Sequence, residues 1–267
     1  VMKRLENKVA LILGADSRDN MGQDIARRFA DEGARMVISG RNAEELARFA
    51  DEIGGTHVAC DITSKSELKA AMAHAREWGG RLDVAVNCVG WGLTQGFLET
   101  GEQELEKMIA LQFKGPFLFL QEAIEGMAEG GSIIQISSAT TRAVIENYAA
   151  YIGTKGGIDH VVRCVANEFG SRGIRANCIS PGLTETPMTA EAMATPGVRE
   201  CFTARYPLGR IGTTADIAAA AVWLASDECF MTGENLQVNG GLLLRSNPTG
   251  ADVGAAVEKA MAAQAKG

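Results

Sequence analysis

Short apolar runs alternate with amphipathic segments from one end of the chain to the other, and this rhythm constrains the fold more than any other feature. The runs Val9–Leu13, Arg35–Ser39, Thr56–Cys60, Leu82–Asn87, Ser132–Ser137, Arg175–Ile179 and Asn235–Val238 are rich in Val and Ile and mostly too short for helices, so they read as strands. Between them Asp24–Glu32, Ala43–Ile53, Lys65–Trp78, Glu102–Ala128, Tyr148–Phe169 and Thr214–Ala225 carry helical patterns. Several of these begin after an Asn, Ser or Thr able to cap them. Strands separated by helices predict an α/β fold. The expected architecture is a single Rossmann-like domain, a doubly wound parallel sheet of about seven strands with helices on both faces.

The 267 residues are enough to bury a full hydrophobic core, and no Pro- or Gly-rich linker divides them. One domain over residues 1–267 is therefore expected. The rhythm lapses over 184–206, where Pro187, Pro196 and several Met and Thr residues suggest a substrate loop or lid. Residues 247–267 are alanine-rich, with Val253, Val257, Ala260, Met261 and Ala265 at helical spacing. They read as a C-terminal helical extension that docks on the domain or reaches a neighbouring subunit.

Composition excludes several function classes. A net charge of −7 offers no basic surface to nucleic acid or anionic lipid. The six cysteines include no C-x-x-C pair and read as reduced thiols, while three scattered histidines assemble no metal site. The apolar run Ile217–Ala225 has nine residues, well short of the ~20 that span a bilayer, and residues 1–8 are too polar for a signal peptide. A cytoplasmic protein without metal, nucleic-acid or membrane partners is expected.

Chemistry gathers at the carboxyl ends of the strands. Val9–Leu13 runs into a glycine turn from Gly14 through Ser17, Arg18, Asn20 and Met21 to Gly22, and then into a helix whose N-terminal N–H groups suit a pyrophosphate. Alone, such a turn is equally an ordinary strand-to-helix connection. Asp61 and Ile62 follow the third strand, and Asn87-Cys88-Val89-Gly90 ends the fourth, so three loops point to one crevice. Ser138 follows the fifth strand. Tyr151 lies thirteen residues beyond it, and Lys155 four residues further, on the same helix face as the tyrosine. A cation there favours phenolate and would lower the tyrosine pKa toward a working range for proton transfer.

This ordered set, with Pro181-Gly182 after the sixth strand and Asn239-Gly240-Gly241 near the end, resembles the short-chain dehydrogenase/reductase family over residues 5–245. The resemblance implies an NAD(P)-dependent enzyme acting on CH–OH and C=O groups. Tyr151 would be the general acid for carbonyl reduction or the base for alcohol oxidation, and Ser138 would bind the substrate oxygen. Lys155 would hold the nicotinamide ribose and bias Tyr151 toward ionisation. Pro181, Gly182, Leu183, Thr184 and Thr186 would border the nicotinamide. A homotetramer is also implied, with the helices over 102–128 and 148–169 and the C-terminal segment at its interfaces.

The chain departs from the family pattern in places. The glycine loop is two residues longer than usual, with Asn20 in place of the middle glycine; Asn tolerates left-handed backbone, so Asn20 can do that glycine's conformational work. The family's helix-borne Asn falls on Gln112, which keeps the amide but adds a methylene and shifts or replaces the relay. Asn239 stands where the family most often has Asp, a structural position. Tyr148 lies seven positions before Lys155, a spacing used by the enoyl-reductase branch, so a double-bond reductase using Tyr148 stands as the alternative. A non-catalytic dinucleotide-binding subunit is the reading from another class.

At the end of the second strand Gly40 replaces the acid that commonly binds the adenosine ribose of NAD, and Arg41, with Arg18, offers a guanidinium to a 2′-phosphate. NADP(H) is therefore favoured, with NAD(H) as the other choice if Arg41 merely stacks on adenine. Trp91, Leu93, Thr140–Ile145, Tyr148, Met188, Met193, Phe202 and Tyr206 would form a mostly apolar pocket for a carbonyl or alcohol substrate. Arg142 and Glu146 are expected at the surface.

Overall fold

The computed structural model describes residues 3–128 and 130–265; the ends of the predicted domain, residues 1–2 and 266–267, and Glu129 lie outside them. In chain order the elements are β1 (Val9–Leu13), α1 (Met21–Asp31), β2 (Arg35–Gly40), α2 (Ala43–Ile53), β3 (Thr56–Ala59), α3 (Lys65–Gly79), β4 (Val84–Asn87), α4 (Glu102–Ile109), α5 (Gly115–Gly126), β5 (Gly131–Ile136), α6 (Ala149–Phe169) and β6 (Ile174–Pro181). There follow β7 (Thr184–Glu185), α7 (Ala190–Ala194), α8 (Val198–Thr203), β8 (Gly212–Thr213), α9 (Thr214–Ala225), β9 (Asn235–Val238) and α10 (Gly250–Gln264).

Seven strands form one parallel sheet in the order β3-β2-β1-β4-β5-β6-β9. The order reverses between β1 and β4, which opens a crevice at their carboxyl ends. Alternation along β1 explains the two core layers. Ala10 and Ile12 face Ile25 and Phe29 of α1, Phe49 of α2 and Ile217 of α9. Val9, Leu11 and Leu13 face Leu68 and Met72 of α3, Phe119 of α5 and Ile158 of α6. With both faces covered, β1 is apolar throughout rather than alternating, and β4 is apolar up to Asn87 at its carboxyl end.

The long helix expected over 102–128 is interrupted. Between α4 and α5 residues Ala110–Lys114 form a π-helical turn that contains Gln112, and Pro116 then opens α5 where its missing N–H is tolerated. The 184–206 segment is built of β7, α7 and α8, and β7 pairs with β8. α10 begins at a Thr249–Asp252 capping box and packs against α8, where Arg205 and Asp252 form an ion pair of 2.7 Å. Asn247 donates to the Ala143 carbonyl (2.7 Å). The extension thus lies on its own domain, tying the segment after β5 to α8.

Candidate active site

The glycine loop starts where β1 ends. Gly14 has φ +94°, a left-handed conformation without strain for glycine, and a Cβ there would lie 3.0 Å from the Cys88–Val89 backbone. Gly22 lies so close to the Gly14 carbonyl that any side chain would overlap it. Asn20 is extended (φ −79°, ψ 168°) and caps α1: its Oδ1 accepts from Gln23 N (2.9 Å) and its Nδ2 donates to the Gly14 carbonyl (2.9 Å). The expected left-handed Asn20 is therefore corrected. The left-handed residue of the longer loop is its neighbour Asp19 (φ 56°), and Asn20 contributes side-chain bonds that extended backbone permits.

From this loop a cleft of 590 Å³ runs across the carboxyl edge of the sheet. Gly14, Ser17, Asn20, Met21 and Gly22 line one end, with Arg41, Asp61 and Ile62 beside them and Val89 and Gly90 after β4. Ser138, Tyr151, Lys155, Pro181, Gly182, Leu183, Thr184 and Thr186 line the other end. A backbone cradle closed to side chains at Gly22, facing the N-terminus of α1, fits a pyrophosphate, so the residues present suit a dinucleotide.

Arg18 is exposed and does not line the cleft. Asn87 acts from beneath it: its Nδ2 donates to Gln135 Oε1 (2.9 Å) and its Oδ1 accepts from Val89 N (3.0 Å), which fixes the turn into Gly90. Asp61 turns its Oδ1 to Thr63, accepting from N (2.8 Å) and Oγ1 (2.7 Å), and these bonds hold its carboxyl below the usual range.

At the inner end, β5 and α6 supply the reactive side chains. Ser138 Oγ shares a hydrogen bond of 2.8 Å with Thr140 Oγ1. Lys155 is buried, and its Nζ donates to the Ile136 carbonyl (2.8 Å). Burial lowers the Lys155 pKa to about 8, against the partial support of the Asp159 carboxylate. The expected net fall of the Tyr151 pKa toward a working range beside Lys155 is corrected. Burial pushes the phenol up to about 12, the Ser138 hydroxyl only offsets part of this, and Lys155 Nζ stands 5.8 Å from the ring centroid.

Gln112 is buried in the π-helical turn and does not line the cleft. Its Oε1 accepts from Trp91 N (3.3 Å) and its Nε2 faces Thr154 Oγ1 (3.5 Å), so its amide supports the loop after β4 rather than bonding Lys155.

The substrate side is walled by Trp91, Thr140, Ile145, Tyr148, Met188 and Phe202. Tyr148 packs edge-to-face on Tyr151 with centroids 5.6 Å apart. Leu93 and Met193 fall outside this wall. Tyr206 does too: it is buried in a small core with Ala139, Ile211 and Leu242, where its phenol accepts from Leu183 N (2.6 Å) and so pins the turn after Gly182. Three functional neighbours escape the sequence reading. Lys107 lines the cleft with its ammonium 4.1 Å from the Trp91 ring centroid. Asp159 lies one further turn along the Tyr151–Lys155 face and accepts from Asn235 Nδ2 (2.7 Å); that four-residue spacing was its available signal. Asp16 lines the adenosine end.

A family model described as enoyl-(acyl carrier protein) reductase matches residues 14–243. Borneol dehydrogenase of Lavandula x intermedia is 35% identical over 247 residues, covering 91% of this chain and 93% of its own. The chain belongs to the short-chain dehydrogenase/reductase family. LinX of Sphingobium indicum, a 2,5-dichloro-2,5-cyclohexadiene-1,4-diol dehydrogenase, is 37% identical over 246 residues, with 89% and 97% of the two chains covered. A short-chain type dehydrogenase/reductase from Mycobacterium ulcerans superposes with a TM-score of 0.87 at 29% identity, covering 91% of this chain and 92% of that one. The single-domain parallel fold agrees with that structure, and this short-chain dehydrogenase/reductase is an enzyme of oxidoreduction that uses a nicotinamide cofactor.

Proposed function

We propose that the protein interconverts a ketone and a secondary alcohol, with Tyr151 exchanging the proton at the substrate oxygen. The observation that carries this reading is the convergence of Ser138, Tyr151 and Lys155 on one end of the cleft, beside an apolar wall. The nicotinamide, when bound, supplies or accepts the hydride. In reduction, Ser138 donates a hydrogen bond to the carbonyl oxygen, and Tyr151, protonated at neutral pH, delivers the proton that completes the hydroxyl. In oxidation the same groups act in reverse, and the Lys155 ammonium stabilises the negative charge that would develop on the phenol. Names of relatives support the alcohol reading, since borneol and a cyclohexadiene diol are both alcohols. Gln112 acts by supporting the Trp91 loop.

A second reading is favoured by one observation: the matching family model is described as an enoyl reductase, and Tyr148 also borders the cleft. In it, Tyr148 would serve reduction of a conjugated double bond. Following reduced-nicotinamide absorbance against ketones, diketones and enones separates the two. Turnover of ketones that survives Tyr148→Phe supports the first reading; turnover of enones alone, lost in Tyr148→Phe, replaces it.

The segment 184–206 serves as a wall of the substrate site, to which it contributes Pro187, Met188 and Phe202. We propose a homotetramer joined through α4 and α5, where Leu105, Ile109 and Phe117 are exposed despite being apolar. α10 forms a further contact. A monomer in sedimentation velocity would overturn this assembly. The sequence expectation of NADP(H) keeps Arg41 as its support but loses Arg18, which lies outside the cleft.

A further inference from the structure

The adenosine end of the cleft holds an acid that does not come from β2. Gly40 ends β2, in register with Ala59 of β3. A Cβ on Gly40 would lie 2.5 Å from Asp16 Cβ and 2.8 Å from Asp16 Oδ2, so the Asp16 side chain fills the space into which a side chain at 40 would project. The two are mutually exclusive. The lengthened glycine loop carries its Asp16 carboxylate to the strand end, and Gly40 is the residue that lets it in.

Asp16 is held there by main-chain donors. Oδ2 accepts from Arg41 N (2.6 Å) and Asn42 N (3.3 Å). Among the described residues Oδ1 has no hydrogen-bond partner and no cationic side chain pairs with the carboxylate. An anchored carboxylate with a free oxygen, lining the cleft beside Ser17, Gly40 and Arg41, has the chemistry of an acceptor for a ribose hydroxyl. The same negative charge opposes a phosphate in that place. Arg41 pulls the other way, but its side chain is exposed and has no fixed partner among the described residues, so binding a phosphate with it requires ordering a long, mobile group.

We propose that Asp16 reads the 2′ position of the adenosine ribose, accepting from its hydroxyl and excluding a 2′-phosphate, so that the protein prefers NAD(H) to NADP(H). This rests on the dinucleotide-dependent reading of the cleft. It also replaces the expectation drawn from Gly40 alone, because the acid missing from β2 is supplied by the loop.

Dissociation constants for NADH and NADPH, measured by titration calorimetry without substrate, test the assignment. The wild type should bind NADH at least about tenfold more tightly than NADPH. Asp16→Ser should narrow the ratio by about tenfold or more, chiefly through tighter NADPH, and adding Arg41→Ala to it should weaken NADPH again. Asp16→Asn keeps the acceptor for Arg41 N and Asn42 N while removing the charge, and it should narrow the ratio in the same sense. A wild type that binds NADPH as tightly as NADH overturns the proposal, whatever the variants do. So does a ratio unchanged in a folded Asp16→Asn protein. If neither dinucleotide binds the wild type, the reading of the cleft fails and the proposal falls with it.

Discussion

Lys155 is a buried cation, and its replacement by methionine has a calculable signature. Its pKa is lowered from 10.5 to about 8 by burial, and a shift of that size corresponds to about 3 kcal/mol of destabilisation when the side chain is charged. The folded-state pKa lies below the unfolded one, so between pH about 8 and about 10.5 the unfolded chain binds more protons, and stability rises with pH across that window. Below pH 8 the wild type carries the full penalty. Lys155→Met keeps the length of the apolar stem and removes the charge. It also leaves the Ile136 carbonyl without its donor, at a cost of about 1–2 kcal/mol that does not depend on pH. The variant should therefore be more stable than wild type by roughly 1–2 kcal/mol at neutral pH, and less stable by a similar amount near pH 10.5. Urea unfolding of both proteins at matched ionic strength across this range gives the difference directly. A stability difference that stays constant with pH would refute the buried-cation reasoning, even if the variant is inactive.

Other expectations concern the two ends of the cleft. Asn20→Ala removes the cap of α1 and the bond to the Gly14 carbonyl, and should lower stability by about 1 kcal/mol in thermal unfolding while weakening dinucleotide binding. Asp252→Ala breaks both the capping box of α10 and the ion pair to Arg205, and should raise the KM for substrate severalfold with the dinucleotide Kd unchanged; an unchanged KM would mean that α10 does not support the substrate wall. Asp159→Asn removes a carboxylate that raises the Lys155 pKa, so the alkaline limb of the pH–rate profile should move to lower pH.

Much of this was legible in the sequence because local chemistry and tertiary placement agreed. The bounds of β1, α2, α9 and β9 follow from apolar runs flanked by caps, and the doubly wound sheet follows from their alternation. Ser138, Tyr151 and Lys155 were legible because helical spacing fixes two of them on one face and a strand end presents the third. Other features were hidden by their dependence on packing. The π-helical turn at Gln112 has no periodicity of its own in an otherwise helical stretch. The Tyr151 pKa follows from burial, which the Tyr-x-x-x-Lys spacing does not report. Asp16 is not legible in the sequence as a ribose acceptor, because only the folded loop brings its carboxylate across to Gly40.

The central claim is that Tyr151 exchanges the proton, and its most direct test compares turnover with dinucleotide binding in Tyr151→Phe. Phenylalanine keeps the ring packed against Tyr148 and removes only the hydroxyl. Carbonyl reduction should fall by at least about a hundredfold, with the dinucleotide Kd nearly unchanged. Ketone turnover retained at the wild-type rate in this variant would contradict the account.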